Sequence, residues 1–486
     1  MLWTHQQEAV EWARGRRSIL LHMGMGTGKT RTALTIINQM LVERSIHRIL
    51  VGCPKAVIPA WAKQAVLWLP GIRVVLLDKN GSAAKGAQVT AAMADTSPVI
   101  IVGNYESLWR IKEIEKVAWD AVIWDEIHRL KSHSGAASKW AAKLVSKNPR
   151  CIRIGLSGTL LAHSPLDGFG VWRAVESPEC PTFGARWGLF KSLYAITNPA
   201  IPGMVVGWRN KEQFAQKVAE TTFMRRSEDV LDLPPIHHID VPVELTAKEA
   251  NVYTQLEQEF CADVEEGSMT PKNAMEGLLR MLQVCSGHMR LDDEQEARPI
   301  DENPSKKAAL RELLEDLDSG ARVVVFCRFR ADIDAALAVC QDIGLGASEL
   351  SCRIDRLADW QAGKSSVLVA QIKSGGVGID CSSASVGIFY SVGHSLSDWL
   401  QAIARIHRPG QTKTTRFFSL VSILRGKTTA DGRCFDALLK RQEVIDAIVT
   451  GYREAGRSPR ADRGDRQGDR RAQRTGQGVG QAQGGA

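Results

Sequence analysis

The chain has 486 residues, 44% hydrophobic and 24% charged, the balance of a globular protein with sizeable cores. Its formal charge of +8 fits a polyanionic partner, and half of that excess lies in residues 453–486, where eight Arg meet four acids. No run of about 18 apolar residues is present, so no membrane-spanning helix is expected. The N-terminus lacks the apolar stretch of a signal peptide, and the ten cysteines form no C-x-x-C pair, which argues against a zinc ribbon or redox motif.

Taken in order, short apolar runs at Ser18–His22, Arg48–Gly52, Val99–Val102, Ala121–Trp124 and Cys151–Leu156 read as buried parallel strands, most of them separated by helical patterns. Such alternation implies a doubly wound parallel sheet. From about Asn210 to Asn303 the pattern turns to long helical stretches, Lys248–Glu265 and Asn273–Gln283. A second strand series follows at Arg322–Phe326, Ser366–Ala370, Gly387–Tyr390 and Arg416–Leu420. The expected units are an α/β lobe at 1–209, a helical segment at 210–303 and a second α/β lobe at 304–455. The tail 456–486 is rich in Gly, Arg, Gln and Asp, has too few apolar residues to offset ordering entropy, and is expected to be disordered.

The strongest local signal runs from Ser18 to Thr30: a strand, the turn Met23-Gly-Met-Gly-Thr-Gly28, then Lys29-Thr30 opening a helix over Thr30–Met40. Here Met25, Gly26, Thr27 and Gly28 form a loop whose backbone N–H groups can close on phosphate oxygens, and the helix N-terminus favours the anion. Lys29 would reach the β- and γ-phosphates of ATP, and Thr30 would hold Mg²⁺. Asp125-Glu126 ends an apolar strand 96 residues after Lys29. In that context Asp125 would bind Mg²⁺ and Glu126 would orient and deprotonate the attacking water. His128 reads as a hydrogen-bonded link to Ser157-Gly-Thr159, a triplet at the end of another apolar strand, suited to sensing the γ-phosphate.

In the second lobe Gln401, Arg405 and Arg408 share one helix face at i, i+4 and i+7, as arginine fingers for transition-state charge would. Upstream, the Gly-rich turn Lys373–Asp380, with Gly376 and Asp380, fits a switch touching both nucleic acid and nucleotide.

These motifs, in this order, resemble the Swi/Snf family of superfamily-two helicases. The resemblance runs from about Leu2 to Arg453. Beside the loop, the acid box and Leu156-Ser-Gly-Thr-Leu160, it rests on Gly52-Cys-Pro-Lys-Ala-Val-Ile-Pro-Ala-Trp61, Asn104-Tyr-Glu-Ser-Leu108, the segment Phe223–Pro235, Val323–Phe329, and the ending His407-Arg-Pro-Gly-Gln411. It implies two RecA-like lobes, ATP-driven movement along duplex DNA, Gln6 as the adenine-reading glutamine, and Lys55, Asn104, Lys131 and Ser374 near the DNA track. Two departures stand out. Met23-Gly24 replaces the family's Asp-Glu, and His394-Ser395-Leu396 stands where the family has Trp-Asn-Pro, which bears on the coupling of hydrolysis to movement. The short helical insertions suit a minimal motor of bacterial or phage type, in the cytoplasm, with a separately encoded nuclease as one possible partner. A strand-separating helicase and a nucleic-acid-binding scaffold are the competing readings, and the retained Lys29, Asp125, Glu126, Arg405 and Arg408 count against the scaffold.

Overall fold

The computed structural model describes residues 1–44, 46–161, 164–179, 181–198, 205–265, 271–289, 297–318, 320–373 and 379–440. The tail expected to be disordered, 456–486, and the candidates Ser374 and Gly376 lie outside the described residues.

The first lobe is built on strands β1 (Ser18–Met23), β2 (Arg48–Cys53), β3 (Arg73–Leu76), β4 (Val99–Asn104), β5 (Ala121–Asp125) and β6 (Ile152–Ser157). A hairpin of β7 (Ala195–Thr197) and β8 (Val205–Trp208) stands apart, and β9 (Thr222–Arg225) returns to the sheet. The order is β3-β4-β2-β5-β6-β1-β9, parallel throughout. Side chains alternate across it: Leu50, Ile101, Val122 and Trp124 enter one core, while Leu21, Ile49, Val51 and Ile123 enter the other. Both faces are covered, which is why these strands are nearly all apolar.

The second lobe opens with β10 (Ile236–Glu244), before the long helices Ala247–Glu265 and Pro271–Cys285 and a small pair, β11 (His288–Met289) with β12 (Arg298–Pro299). Its sheet continues with β13 (Val323–Cys327), β14 (Ala347–Leu350), β15 (Val367–Gln371), β16 (Val386–Phe389) and β17 (Thr415–Leu424), in the parallel order β10-β17-β16-β13-β15-β14. A two-residue turn, Arg425 (φ 48°) and Gly426 (φ 72°), folds β18 (Lys427–Thr428) back on β17.

Two lobes with parallel sheets match the expected architecture, but the boundaries move. Strand β9 and the helix Lys211–Thr221, which buries Phe214 and Val218, belong to the first lobe, so the boundary expected at 209/210 falls inside it. Strand β10 belongs to the second sheet although it precedes the helical pair. That pair packs Tyr253, Met281 and Val284 against Leu245 and Ala430, and Ser422 Oγ donates to Cys285 O at 2.9 Å. The helical segment is therefore an insertion in the second lobe rather than a connector. Strand β10 escaped the apolar pattern because it is a largely exposed edge strand carrying two His, an Asp and a Pro, residues an edge accepts and a central strand does not.

Because the strands are parallel, their carboxyl ends share one rim of each sheet, where ligands of open α/β sheets bind. In the first lobe that rim carries the loop after β1, Lys55 after β2, Asn104 ending β4, Asp125 ending β5 and Ser157 ending β6.

Candidate active site

The loop after β1 closes through two glycines with positive φ, Gly26 at 77° and Gly28 at 81°, a conformation that L side chains rarely adopt. Gln6 braces it from below. Its Nε2 donates to Thr27 O at 3.0 Å, and a Cβ on Gly28 would collide with that amide. His5 Nε2 lies 2.9 Å from the same carbonyl. Thr27 Oγ1 donates to Gly24 O at 2.7 Å, and Lys29 Nζ folds back onto Met23 O and Gly24 O, each at 3.1 Å. The helix Lys29–Arg44 starts directly behind, with Thr30 half-buried in its first turn. Strand β9 and the short helix after it, Ser227–Val230, hold the loop from the other side: Gly24 N donates to Arg225 O at 2.8 Å, and Ser227 Oγ donates to Met25 O at 2.7 Å.

At the end of β5 the two acids are buried and differently treated. Trp61 Nε1 donates to Asp125 Oδ2 at 2.7 Å, and Tyr105 OH donates to Asp125 O at 2.7 Å. Burial, and then the neighbouring Glu126 charge, push the Asp125 carboxyl above its ordinary range. Glu126 is a non-glycine residue in the left-handed region, φ 52°, a strained conformation of the kind that clusters at functional sites. Burial alone would raise its carboxyl, but adjoining His128, then Lys29 and Arg129, bring it below the ordinary value. His128 Nδ1 stands 3.1 Å from Ser157 Oγ and 3.3 Å from Glu126 Oε2. Ser157 Oγ in turn accepts from Thr159 N at 3.0 Å. The link expected from His128 to the Ser157–Thr159 turn is thus a direct contact.

The second lobe reaches this cluster through Ser397, in the first turn of the helix Leu396–Ile406. Its Oγ lies 3.5 Å from His128 Nε2, and accepts from Thr159 Oγ1 and Gln401 Nε2 at 3.4 Å each. The turn after Arg408 sits on the phosphate loop, since a Cβ on Gly26 would stand 2.7 Å from Pro409 Cδ. The helix ends at Ile406, so Arg408 lies in the turn beyond it and not on the helix face expected to carry Gln401, Arg405 and Arg408 together; both arginines engage their own lobe. Arg405 Nη2 donates to Ile372 O at 3.1 Å, and Arg408 Nη1 donates to Ile379 O at 3.0 Å with its Nε 4.0 Å from Asp380 Oδ1. Asp380 is fixed by Ser382, whose N and Oγ donate to it at 2.9 and 2.7 Å.

Farther along the rim, Lys55 is exposed, and Asn104 Nδ2 donates to Glu106 Oε2 at 2.9 Å. Burial lowers the Lys131 ammonium, against the pull of Asp167 in its own lobe and Asp398 in the other. Across from it, a cleft opens in the second lobe, lined by Arg328, Lys373, His394, Ser395, Asp398 and Trp399. Trp61, Tyr105, Ser227 and Ser397 were not singled out as site residues from sequence. The first three lie inside recognised motif segments, while Ser397 lies where the family pattern is broken, with no local signal at all.

The chain matches the model of the SNF2-related domain over residues 5–290 and that of the helicase conserved C-terminal domain over residues 305–410. It is 25% identical over 461 residues to the human SWI/SNF-related matrix-associated actin-dependent regulator of chromatin subfamily A member 1, covering 87% of this chain and 41% of that protein. An uncharacterized ATP-dependent helicase of Mycoplasma genitalium is 22% identical over 459 residues, covering 91% of this chain and 41% of that one. Protein p41 of Acyrthosiphon pisum secondary endosymbiont phage 1 is 26% identical over 400 residues, covering 79% of this chain and 83% of its own length. Among solved structures, the Sulfolobus solfataricus SWI2/SNF2 ATPase core in complex with dsDNA aligns with a TM-score of 0.43 and 21% identity over 94% of this chain and 95% of that one. The chain spans less than half the length of the human and mycoplasma relatives. Matched by the SNF2-related model over more than half its residues, and by the helicase C-terminal model after it, the chain belongs to the SNF2-related family.

Proposed function

We propose that the chain hydrolyses ATP between its two lobes and uses turnover to move along duplex DNA. The observation that carries this reading is the convergence on one rim of a phosphate-type loop with Lys29, the buried pair Asp125–Glu126, and groups of the second lobe, Ser397 and Pro409. In the proposed mechanism Gln6 and residues Met25–Thr30 bind the nucleotide, with loop and helix amides on its phosphates. Glu126, its carboxyl held below the ordinary range by adjoining His128, positions the attacking water and takes its proton. Arg405 and Arg408 stabilise the charge on the transferring phosphoryl group once released from the Ile372 and Ile379 carbonyls. His128, Ser157 and Thr159 carry the state of the site to the second lobe, and Gly376 and Asp380 belong to the loop that would answer it.

The donor set fits a Mg²⁺ ion. Asp125 is a carboxylate raised by burial and then by a second buried acid beside it, and a cation there would offset both charges. Thr30 and Asp125 would hold the ion, which when bound neutralises charge on the β- and γ-phosphates.

On the nucleic-acid side, Lys55, Asn104, Lys131 and Ser374 form the proposed track. Phosphate contacts would dominate, making binding salt-sensitive and largely sequence-independent. A bacterial or phage-infected cytoplasm is the proposed setting, to which the mycoplasma and phage relatives point. None of the described helices is long and apolar enough to cross a membrane. A separately encoded nuclease remains the partner to seek by co-purification.

The test is steady-state ATP turnover without nucleic acid and with duplex DNA, single-stranded DNA and duplex RNA, followed by triplex displacement. Strong stimulation by duplex DNA with triplex displacement is expected. Stimulation by single strands or RNA instead, with strand displacement, would replace the translocase reading with a helicase. No turnover under any condition would leave the scaffold.

A further inference from the structure

Ser397 is placed unlike an ordinary helical serine. The cap of its helix is supplied by Ser395, whose Oγ accepts from Asp398 N at 3.3 Å, so Ser397 is not needed there. Its hydroxyl instead reaches across to the first lobe and is buried. A hydroxyl has one hydrogen to donate and two lone pairs to accept with. Thr159 Oγ1 and Gln401 Nε2 occupy both lone pairs, each at 3.4 Å. The remaining neighbour is His128 Nε2 at 3.5 Å, and with both lone pairs taken the one hydrogen of Ser397 is assigned to that contact. A neutral imidazole that accepts at Nε2 carries its proton on Nδ1. That N–H meets Ser157 Oγ at 3.1 Å, and Glu126 Oε2 lies 3.3 Å from the same nitrogen.

We infer that Ser397 is a positioning residue that sets the tautomer of His128, and through it the orientation of Glu126, only while the lobes are together. The inference rests on the proposed ATP hydrolysis and adds how closure is communicated to the water-activating carboxylate. When the lobes part, Nε2 loses its donor, His128 is free to change tautomer, and Glu126 loses a fixed neighbour. Hydrolysis is thereby favoured in the closed form.

The test compares the full chain with its Ser397→Ala and Ser397→Thr variants, measuring kcat and KM for ATP with saturating duplex DNA. The tautomer is read from ¹⁵N-histidine spectra, with His128 assigned through a His128→Gln variant. Ser397→Ala is expected to lower kcat about tenfold, less than loss of the base itself, with KM for ATP changed less than about twofold. Ser397→Thr keeps the hydroxyl and is expected to recover most of the loss. The His128 proton is expected on Nδ1 in the wild type and displaced from it in Ser397→Ala. Wild-type kcat in Ser397→Ala, equal impairment of both variants, or an unchanged His128 tautomer would each overturn the inference. Were the wild type inactive toward ATP, the hydrolysis reading would fall, while the spectra would still decide whether Ser397 sets the tautomer.

Discussion

Each proposed catalytic side chain has a geometry that separates its role from its neighbours'. Lys29 donates to two loop carbonyls at 3.1 Å, so its ammonium is already parked over the turn where phosphates would lie. Lys29→Ala should abolish ATP turnover and weaken ATP binding, as measured by nucleotide titration. Glu126→Gln keeps the size and position of the side chain and removes its charge. It should bind ATP normally and fail to hydrolyse it in a single-turnover experiment, and normal turnover would remove Glu126 as the base. Arg405→Ala and Arg408→Ala should spare nucleotide affinity and lower kcat, by roughly 10³-fold if either acts as a finger. Sequence makes Lys29, Asp125, Glu126 and His128 legible because strand, turn and residue type are local. It does not reveal Trp61 on Asp125, Ser227 on Met25 or Ser397 on His128, because those partners are 64, 202 and 269 residues apart and meet only through the fold.

The same divide between local and distant information governs the elements. Central strands β1, β2, β4, β5 and β6 are apolar on both faces and could be read directly. Strand β10 lies at a sheet edge with mostly exposed side chains and carries no such signature. What ties the helical insertion's flank to the second sheet is equally silent in sequence. Lys306, fully buried, donates to Asp431 Oδ2 at 2.6 Å and Tyr390 O at 2.8 Å, and Asp431 also accepts from Ser422 N at 3.2 Å. Removing one member strands the other charge in the core. Lys306→Met should therefore destabilise the second lobe by about 3–5 kcal/mol, read as a lower denaturation midpoint. The paired change Lys306→Met with Asp431→Leu should recover much of that loss. If the single variant were as stable as the wild type, the pair would not hold the lobe together.

At the scale of the whole molecule, the proposed track and the lobe interface overlap at Lys131 but not at Lys55. Lys55 is exposed after β2, on the rim of the first lobe. Lys131 is half-buried and feels Asp398 of the second lobe as well as Asp167 of the first. A substitution at Lys55 should act on the nucleic acid alone. Lys55→Gln should weaken duplex binding and lower the slope of log affinity against log salt by about 0.9, the signature of one lost phosphate contact. Its KM for ATP without DNA should not move. Lys131→Gln removes a cation attracted by carboxylates on both lobes, Asp167 and Asp398. It should change the salt dependence of DNA binding and also raise KM for ATP in the absence of DNA, because closure is then less favourable. If Lys131→Gln altered only the DNA terms, Lys131 would belong to the track without a part in closure. If it altered only the ATP terms, it would belong to the interface, and the track would have to pass nearer Lys55 and the Arg328–Lys373 cleft.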